Sequence, residues 1–416
     1  MMDLSEWLIY LESLHGKTIE MGLERVAVVA ARLFTAMPMA IVTVGGTNGK
    51  GSTCAFLEAI LTEAGYHVGL YTSPHLLRYN ERVRINRTPV GDAALVKAFG
   101  EVEAARRDTS LTYFEFGTLA AMRLFEQAAV DVAILEVGLG GRLDAVNVFD
   151  TDCAVVTGID IDHTEYLGTT REQIGREKAG IFRSGRPAIC ADAAPPQSLR
   201  SHALNIGADW RAVGVAYRYE IRPTVWDFNG EQQHANLPLP VMRGGYQINN
   251  AAAAIAALDS LQQRLPVTEQ ALRLGLTSAV VPGRFQILPG RPLRILDVAH
   301  NPQGARALAE NLAQLPVTGK TYAVFAMLAD KDIANVVAAM ADEIDIWLAS
   351  GLNEARGASS AQLRAILESS GATRIQLLDS VERAWNFACE QASENDRICV
   401  FGSFHTVAAV LRSIAD

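Results

Sequence analysis

The chain has 416 residues, of which 49% are hydrophobic and 20% charged, and its formal net charge is −9. This length exceeds what one domain usually needs, so two folded domains are expected. The composition leaves ample apolar material for packed cores and gives little sign of disorder. The negative charge argues against a general nucleic-acid-binding surface, where lysine and arginine would cluster, although it permits a local basic pocket.

The five cysteines are scattered and none forms a Cys-x-x-Cys pair. Reduced thiols are therefore expected, not a disulfide framework or a zinc site. No stretch approaches the roughly 20 continuous apolar residues of a membrane span. The N-terminus also lacks the basic and apolar segments of a signal peptide. The sequence predicts a soluble cytoplasmic monomer with neither a membrane nor a nucleic acid as partner.

Short apolar runs alternate with longer amphipathic segments along most of the chain. The strand-like runs of the first series are Ile41–Val44, Val68–Tyr71, Val132–Val137, Ala154–Ile159 and Pro187–Ala191. Those of a second series are Arg294–Val298, Thr321–Met327, Ile344–Ser350, Arg374–Leu378 and Arg397–Gly402. This alternation is typical of α/β folds, in which parallel sheets are covered by helices on both faces.

The Pro/Gly-rich stretch 282–292 separates the two series and marks the domain boundary. We predict a phosphate-loop domain with a mostly parallel sheet over residues 1–284, and a smaller Rossmann-like α/β domain over residues 285–416. Residues 201–244 are more polar and less regular, and we interpret them as a peripheral region that closes the first domain.

The first strand-like run continues into a glycine-rich turn at residues 45–53, which is followed by the helix-forming segment Cys54–Ala64. Glycines let backbone N–H groups surround phosphate oxygens, the helix N-terminus adds a positive dipole, and Lys50 supplies a mobile cation. Val44 replaces the first glycine of the standard phosphate loop, and Gly51 separates the lysine from the hydroxyls that follow. An ordinary glycine-rich turn is the alternative. Strand, loop, lysine and helix nevertheless occur in order, which favours phosphate binding.

Polar residues occur near the carboxyl ends of three predicted strands, namely Ser73, Glu136, Asp160, Asp162 and His163. Ligands of doubly wound sheets bind outside these strand ends, and hydroxyl and carboxylate oxygens suit Mg²⁺. Glu136 stands within an apolar run, where an unpaired carboxylate would be costly to bury. Histidine is a less usual ligand of Mg²⁺, so His163 taken alone fits a capping or packing role better than ligation.

Eight short motifs occur in order along the chain. They are Gly46-Thr-Asn-Gly-Lys-Gly-Ser52, Thr72-Ser-Pro-His75, Glu136-Val-Gly-Leu-Gly-Gly-Arg-Leu-Asp-Ala-Val-Asn147, Asp160-Ile-Asp-His163, Glu177-Lys-Ala-Gly180, Pro282-Gly-Arg-Phe285, Asp297-Val-Ala-His-Asn-Pro302 and Gly402-Ser-Phe-His405. Together they closely resemble the bacterial folylpolyglutamate synthase/dihydrofolate synthase family, a relative of the Mur ligases. The likeness covers nearly the whole chain, and the modified phosphate loop is the form that this family uses.

The resemblance implies a set of nucleotide and metal ligands. The residues expected to hold ATP are Thr47, Asn48, Gly49, Lys50, Gly51, Ser52, Asn250, Arg284, Asp297 and His300. The residues expected to bind magnesium, at two sites, are Ser73, Glu136, His163 and Lys178. A monovalent cation is also implied. Lys50, Lys178, His163 and Glu136 would carry catalysis. Lys178 corresponds to a lysine that the family carries in N-carboxylated form, whereas its residue type alone predicts a solvated helix residue.

The pterin-bearing substrate matches three further segments. Their residues are His15, Gly16, Lys17, Thr18, Thr112, Tyr113, Phe114, Glu115, Leu143, Asp144 and Ala145. An aromatic pair beside hydrogen-bonding groups suits a flat, amphipathic heterocycle. The chain departs from the family at Tyr246, where histidine is frequent, and at Val298, where glycine is commoner.

The activity implied by the resemblance is that of an ADP-forming carboxylate–amine ligase. ATP would phosphorylate a substrate carboxylate, and the amine of L-glutamate would attack the acyl phosphate. Dihydropteroate would give dihydrofolate, and reduced folates would gain further glutamates. A Mur-type ligase of peptidoglycan precursors is one alternative, against which segments 112–115 and 143–145 count. A nucleotide switch without ligase turnover is another, although the chain lacks the NKxD motif that reads guanine.

Overall fold

The computed structural model describes residues 2–17 and 19–415, which form two compact units. The first unit comprises the chain up to Val241 together with Tyr246–Val280, and the second comprises Met242–Gly245 and the chain from Val281 onward. Within the described ranges, no helix has both the length and the apolar character needed to cross a membrane.

The first unit contains a long, mostly parallel sheet and a small antiparallel sheet. Its strands are β1 (Ala40–Gly45), β2 (Val68–Tyr71), β3 (Val83–Ile85), β4 (Thr88–Pro89), β5 (Val132–Glu136), β6 (Cys153–Val156), β7 (Pro187–Cys190), β8 (Asp209–Ala212), β9 (Arg218–Ile221), β10 (Val225–Asn229) and β11 (Gln233–Pro238). The long sheet has the order β4-β3-β2-β5-β1-β6-β7-β8. The pairs β2–β3 and β3–β4 are antiparallel, and the other pairs are parallel. Strands β9 to β11 form the small sheet.

Helices cover the long sheet of the first unit. They are α1 (Leu4–Ser13), α2 (Glu24–Leu33), α3 (Lys50–Glu63), α4 (Asp92–Arg106), α5 (Tyr113–Gln127), α6 (Thr164–Leu167), α7 (Arg171–Ala179), α8 (Gln197–Asn205), α9 (Gly245–Ser260) and α10 (Glu269–Ser278), with short 3-10 helices at Tyr79–Arg82 and Ala145–Val148. Strands β1, β5 and β6 are buried along their whole length. Burial on both faces explains why their sequences are continuous apolar runs without alternation.

The second unit is a smaller sheet covered by helices. Its strands are β12 (Gln286–Leu288), β13 (Leu293–Leu296), β14 (Thr321–Phe325), β15 (Ile346–Ser350), β16 (Ile375–Leu378) and β17 (Arg397–Phe401). Its helices are α11 (Pro302–Ala313), α12 (Ile333–Met340), α13 (Ser360–Ser369), α14 (Val381–Gln391) and α15 (Phe404–Ala415), with a 3-10 helix at Ala341–Glu343. The strand order is β12-β13-β17-β14-β15-β16, with β12 antiparallel and the others parallel.

The predicted α/β class with mostly parallel sheets is confirmed. All ten predicted strands are present, with ends that differ by at most three residues. Residues 201–244 look less regular in the sequence, yet they contain the end of α8, strand β8 and the small sheet. In β10 the buried Trp226 and Phe228 alternate with partly exposed neighbours. A half-buried strand of this kind lacks the continuous apolar run on which the prediction relied.

Candidate active site

The glycine-rich segment is a tight turn between β1 and α3, and its backbone requires glycine at two positions. Gly46 and Gly49 adopt φ angles of 141° and 98°. A Cβ atom added at Gly46 would lie 1.8 Å from Oγ1 of Thr157, and one added at Gly49 would lie 2.4 Å from Oδ1 of Asn250. The spacing of glycines in the sequence therefore reflects close packing behind the turn. The N–H groups at the start of α3 remain available to an anion.

Hydrogen bonds hold the turn against the segment that follows β6. The N–H of Thr47 donates to the carbonyl of Gly158 (2.8 Å), and its hydroxyl donates to the carbonyl of Asp160 (3.0 Å). Lys50 Nζ donates to the carbonyl of Thr47 (3.2 Å), so this cation lies over the turn. In the first turn of α3, Oγ1 of Thr53 is buried and has no hydrogen-bond partner among the described residues. The turn thus combines a fixed backbone, a cation and an unsatisfied hydroxyl.

Glu136 and Ser73 lie together beside this turn. Glu136 ends β5 opposite Val44 of β1, and only 5% of it is exposed. Its Oε2 accepts a hydrogen bond from the N–H of Ser73 (3.1 Å). Both carboxylate oxygens lie 3.9 Å from the position of a Cβ atom added at Gly51 in the first turn of α3. A carboxylate near a helix N-terminus is electrostatically favourable, and it is also a ligand that a divalent cation prefers.

His163 follows β6 and is more exposed than the other predicted metal ligands. It has a φ angle of 52° and immediately precedes α6. Its ring Nε2 lies 3.9 Å from Oδ2 of Asp162, and 42% of its side chain is exposed. In the part of the chain that the structure describes, no three His, Cys, Asp or Glu side chains are grouped to hold a metal. The residues present fit an ion such as Mg²⁺, which takes part of its ligands from phosphates and water.

Lys178 of α7 is buried behind the turn, with 4% of the residue exposed, and is therefore not the solvated residue that its type predicts. Its Nζ donates to the carbonyl of Gly46 (2.8 Å). Burial and, to a smaller extent, the nearby cation of Lys50 lower the pKa of Lys178 to about 7, against the opposing effect of Asp162 and Asp144. A large fraction of the amine is consequently neutral near pH 7.

The position of Lys178 is set by an interlock between α7 and the loop that follows β5. The N–H of Arg142 donates to the carbonyl of Glu177 (2.8 Å). The side-chain amide of Asn147 donates to the carbonyls of Arg142 (2.9 Å) and Gly180 (3.0 Å). A Cβ atom added at Gly180 would lie 2.3 Å from Cβ of Arg142. The motif that follows β5 and the motif at the end of α7 are separate in the sequence but pack directly against each other.

Two of the predicted substrate segments are linked by residues that the sequence analysis missed. Glu20 pairs with His15 (2.9 Å) and Lys17 (3.1 Å). Arg25 pairs with Glu20 (2.8 Å) and with the buried Glu115 at the start of α5 (3.1 Å). Arg25 and Glu115 are 90 residues apart in the sequence, so no local pattern could reveal their contact.

Thr112 and Glu115 form the N-terminal cap of α5. The N–H of Glu115 donates to Oγ1 of Thr112 (3.3 Å), and the N–H of Thr112 donates to Oε2 of Glu115 (2.7 Å). Both residues are buried, and their reciprocal hydrogen bonds stabilise the start of α5. Gly16 has no atom within 4 Å of an added Cβ atom, and it lies at an open position. Thr18 lies outside the described residues.

Asp144 joins the third predicted segment to the loop that follows β5. Its Oδ2 accepts from the N–H of Leu139 (2.8 Å), and its Oδ1 accepts from the N–H two residues further on (3.1 Å). Burial raises the pKa of Asp144 to about 6. The carbonyl of Leu143 accepts a hydrogen bond from the N–H of Gly22 (3.4 Å), and Ala145 is buried. The segment therefore contacts the chain just before α2.

The predicted aromatic pair faces two different surroundings. The ring of Phe114 lies over Gly138, where an added Cβ atom would be 2.7 Å from it, and its centroid is 5.7 Å from that of Tyr71. The ring of Tyr113 meets Tyr79 edge to face at 5.8 Å. These rings offer flat apolar surface of the kind that packs against a heterocycle.

The remaining predicted nucleotide residues form a separate group in the second unit. Oδ2 of Asp297 accepts from the N–H of Phe285 (2.7 Å), and its Oδ1 accepts from the N–H two residues further on (2.8 Å). Burial raises the pKa of Asp297, and the guanidinium of Arg284 opposes this shift. The guanidinium carbon of Arg284 lies 5.6 Å from the ring centroid of Phe404, and the ring of His300 lies 6.0 Å from the same ring.

Two family models match this chain. The model of the Mur ligase middle domain matches residues 44–258, and the model of the Mur ligase glutamate ligase domain matches residues 283–404. The curated dihydrofolate synthase/folylpolyglutamate synthase of Escherichia coli (strain K12) is 49% identical over 413 residues, which cover 99% of this chain and 95% of the relative.

Solved structures agree with these matches. Escherichia coli FolC in complex with DHPP and ADP is 48% identical, with a TM-score of 0.95 over 100% of this chain and 98% of that chain. The Yersinia pestis bifunctional folylpolyglutamate synthase/dihydrofolate synthase complexed with AMPPNP and Mn ion is 48% identical, with a TM-score of 0.94 over 100% and 99% of the two chains. These relatives are folate synthases, so a peptidoglycan ligase is not favoured. The chain belongs to the Mur ligase family and, within it, to the ATP-dependent dihydrofolate synthase/folylpolyglutamate synthases.

Proposed function

We propose that this chain is an ADP-forming ligase that adds L-glutamate to dihydropteroate, giving dihydrofolate, and to reduced folates, giving polyglutamates. The observation that carries the proposal is the arrangement of Lys50, Glu136 and the buried Lys178 around the turn between β1 and α3. This arrangement supplies mobile and fixed charges where a triphosphate would bind. Membership of the folate synthase family supports the choice of acceptors.

We propose that the phosphates of ATP bind at this turn and that the residues implied by the resemblance hold the nucleotide. Those residues are Thr47, Asn48, Gly49, Lys50, Gly51, Ser52, Asn250, Arg284, Asp297 and His300. The first turn of α3 supports the proposal, because its backbone N–H groups and the unsatisfied hydroxyl of Thr53 would be satisfied by a ligand.

We propose that Ser73, Glu136, His163 and Lys178 hold two magnesium ions, and that a monovalent cation also binds. The buried carboxylate of Glu136, which lies next to Gly51 at the start of α3, supports this assignment. When bound, magnesium would neutralise charge on the transferring phosphate.

We propose that Lys178 is N-carboxylated. The neutral amine would attack the carbon of carbon dioxide, a C–N bond would form, and one proton would leave to water. A pKa of about 7 supports this step, because only the neutral amine reacts. The product carries one negative charge in place of a cation to which no carboxylate of the described residues is hydrogen-bonded. That charge suits a site that gathers metal ions and Lys50.

In the proposed reaction, a substrate carboxylate oxygen attacks the terminal phosphorus of ATP, and the bond to ADP breaks. The glutamate amine then attacks the acyl carbon, inorganic phosphate leaves, and the amine loses one proton. Lys50 and the N–H groups at the start of α3 would stabilise charge on the transferring phosphate. The residues of segments 15–18, 112–115 and 143–145 would bind and orient the acceptor.

We also propose that residues 1–284 form the ATP-binding domain with the folate pocket, and that residues 285–416 form the glutamate ligase domain. The match to the middle domain ends at residue 258 and the match to the glutamate ligase domain begins at residue 283, which supports this division. We further propose that the chain acts as a monomer in the cytoplasm, and its free cysteines fit a reducing compartment.

The proposal is tested by measuring ADP release with each acceptor, with and without L-glutamate. We expect release with dihydropteroate or tetrahydrofolate only when glutamate is present, together with a product that is heavier by one glutamate. Rapid release with a muramyl nucleotide and none with pteroates would contradict the proposed substrates. ADP release that does not depend on glutamate or any acceptor would contradict ligase activity itself.

A further inference from the structure

Arg82, in the 3-10 helix that precedes β3, differs from the arginines of this chain that are held by carboxylates. Arginines held by a carboxylate include Arg25, Arg84, Arg106, Arg123, Arg183 and Arg397. Within residues 2–17 and 19–415, no carboxylate forms an ion pair with Arg82. Its side chain is held by two aromatic rings and an imidazole.

The contacts of Arg82 fix the guanidinium and leave its outer edge unused. The guanidinium carbon lies 5.4 Å from the ring centroid of Tyr79 and 5.5 Å from that of Tyr113. Its Nε donates to Nδ1 of His75 (2.8 Å). A guanidinium nitrogen can only donate, so His75 must accept at Nδ1. The two terminal nitrogens have no hydrogen-bond partner among the described residues, and their N–H groups are available to a ligand.

The rings around Arg82 are packed against α5 or belong to it. Tyr79 is buried, and its hydroxyl lies 2.5 Å from the position of a Cβ atom added at Gly117, so this ring packs directly on α5. Tyr113 is the first residue of α5. Burial raises the pKa of the Tyr79 and Tyr113 phenols, so both rings stay neutral and offer their π faces to the cation. A guanidinium held in this way loses little entropy when it binds an anion.

Arg82 is connected to both parts of the proposed site in the first unit. Its carbonyl accepts a hydrogen bond from the N–H of Thr72 (2.9 Å), which begins the segment that contains His75. Within that segment, the N–H of Ser73 donates to Glu136 beside the phosphate turn. On its other side, Arg82 stacks on Tyr113 of the proposed acceptor segment.

We infer that Arg82 determines acceptor specificity by binding the α-carboxylate of the glutamate that a reduced folate already carries. The inference rests on the proposed function and identifies one contact of its substrate. A guanidinium edge with free, parallel N–H groups matches a carboxylate in bidentate geometry.

The choice of carboxylate follows from charge. The reacting carboxylate loses its negative charge to the acyl phosphate, so a fixed guanidinium on it would stabilise the ground state and slow the reaction. The α-carboxylate of a folate keeps its charge throughout. Dihydropteroate has a single carboxylate, which is the reacting one, and leaves Arg82 without a partner. The two ligations should therefore depend differently on Arg82.

The experiment compares Arg82→Gln and Arg82→Lys with the unchanged full-length chain. The matched control is Arg78→Gln, because Arg78 is 69% exposed, pairs with Asp92 and lies four residues earlier. In Arg82→Gln we expect KM for tetrahydrofolate to rise at least about tenfold, with kcat little changed. The KM values for dihydropteroate, ATP and L-glutamate should be unchanged. Arg82→Lys should show an intermediate effect, since it keeps the positive charge but loses the two parallel N–H groups of the guanidinium.

A second comparison does not depend on the stability of the variants. Replacement of the folate α-carboxylate by an amide should raise KM for the unchanged chain by a similar factor, and Arg82→Gln should then add no further loss. An equal loss with both acceptors would overturn the inference, as would a raised KM for L-glutamate or unaltered kinetics. In those cases the unchanged chain still ligates both acceptors, whereas failure of the proposed function would appear as no glutamate-dependent ADP release from it.

Discussion

Arg397 and Lys178 are both buried cations, but their surroundings differ. Arg397, which is 3% exposed, pairs with Glu343 (3.2 Å) and also donates to a hydroxyl and two carbonyl oxygens within the second unit. Lys178 donates to the carbonyl of Gly46 and has the cation of Lys50 nearby. The charge of Arg397 is compensated inside the fold, whereas no carboxylate among the described residues is hydrogen-bonded to Lys178.

This difference in pairing distinguishes buried charges that stabilise the fold from buried charges that are available to bind a ligand. A buried ion that is paired and fully hydrogen-bonded becomes strongly destabilising only when one partner is removed. A buried ion without such pairing shifts its pKa, and perturbed groups of this kind concentrate at functional sites. The predictions below test whether this distinction holds in the two regions.

The largest effect is expected for Lys50→Ala. Removal of the cation from the phosphate turn should lower kcat for glutamate-dependent ADP release at least about 100-fold. The melting temperature should hardly change, because the hydrogen bond of Lys50 to Thr47 is only partly buried. Lys97→Ala is the matched control, since Lys97 is 69% exposed on α4. Near-normal turnover in a folded Lys50→Ala chain would mean that the turn is structural.

The pair Lys178→Met and Arg397→Met tests the comparison directly. Lys178→Met should lose most activity. Its stability at pH 6 should be kept, because the substitution removes an uncompensated buried ammonium. Arg397→Met should be destabilised by about 3–5 kcal/mol, because it leaves the buried partners of the guanidinium unsatisfied. Urea unfolding of both variants measures the difference. Equal destabilisation by the two substitutions would remove the distinction.

The pKa of Lys178 also predicts how the stability of the chain depends on pH. The pKa of Lys178 is about 7 in the folded chain against 10.5 in water. Between these pH values the unfolded chain binds more protons, so the stability of the unchanged chain relative to Lys178→Met should rise with pH from about 7 to 10.

If Lys178 is carboxylated, Lys178→Ala should regain some activity with short-chain carboxylates. Full activity in Lys178→Ala would exclude a catalytic role.

Smaller effects are expected for Glu136→Gln and His163→Ala. Each should lower turnover roughly tenfold at low magnesium, with partial recovery as magnesium is raised, because each proposed ligand shares the ion with phosphates and water. Magnesium titrations of ADP release measure this response. A variant that mainly lowers the melting temperature and keeps its magnesium response would show that the residue is structural.

The smallest effect concerns His234, which joins the small sheet to α9 and α10 through Asp259 (3.4 Å) and Glu269 (2.7 Å). Burial alone would lower the pKa of His234, but the two carboxylates raise it above its usual value. Its ion pairs therefore stabilise the fold below about pH 6.5, and this contribution is lost as pH rises through the raised pKa. His234→Gln should lower the melting temperature by about 2 °C at pH 6 and by less at pH 8. Equal losses at both pH values would contradict a charged His234.

Local patterns were sufficient for much of the fold. Strands such as β1 and β14 are buried on both faces, so a continuous apolar run identifies them without knowledge of their neighbours. The turn from Gly46 to Gly49 was also predictable, because glycine spacing reports positive φ angles. The small sheet was missed, since its half-buried strands alternate and resemble polar loop.

The sequence by itself determined the α/β class, the position of the phosphate turn and the order of the site motifs, since these depend on neighbouring residues. Only the tertiary structure decided how the side chains of those motifs are surrounded. Lys178 and Gly46 are 132 residues apart, and Arg25 and Glu115 are 90 apart. Burial, ion pairing and the stacking of Arg82 on Tyr113 depend on which distant segments meet, and no local spacing encodes that.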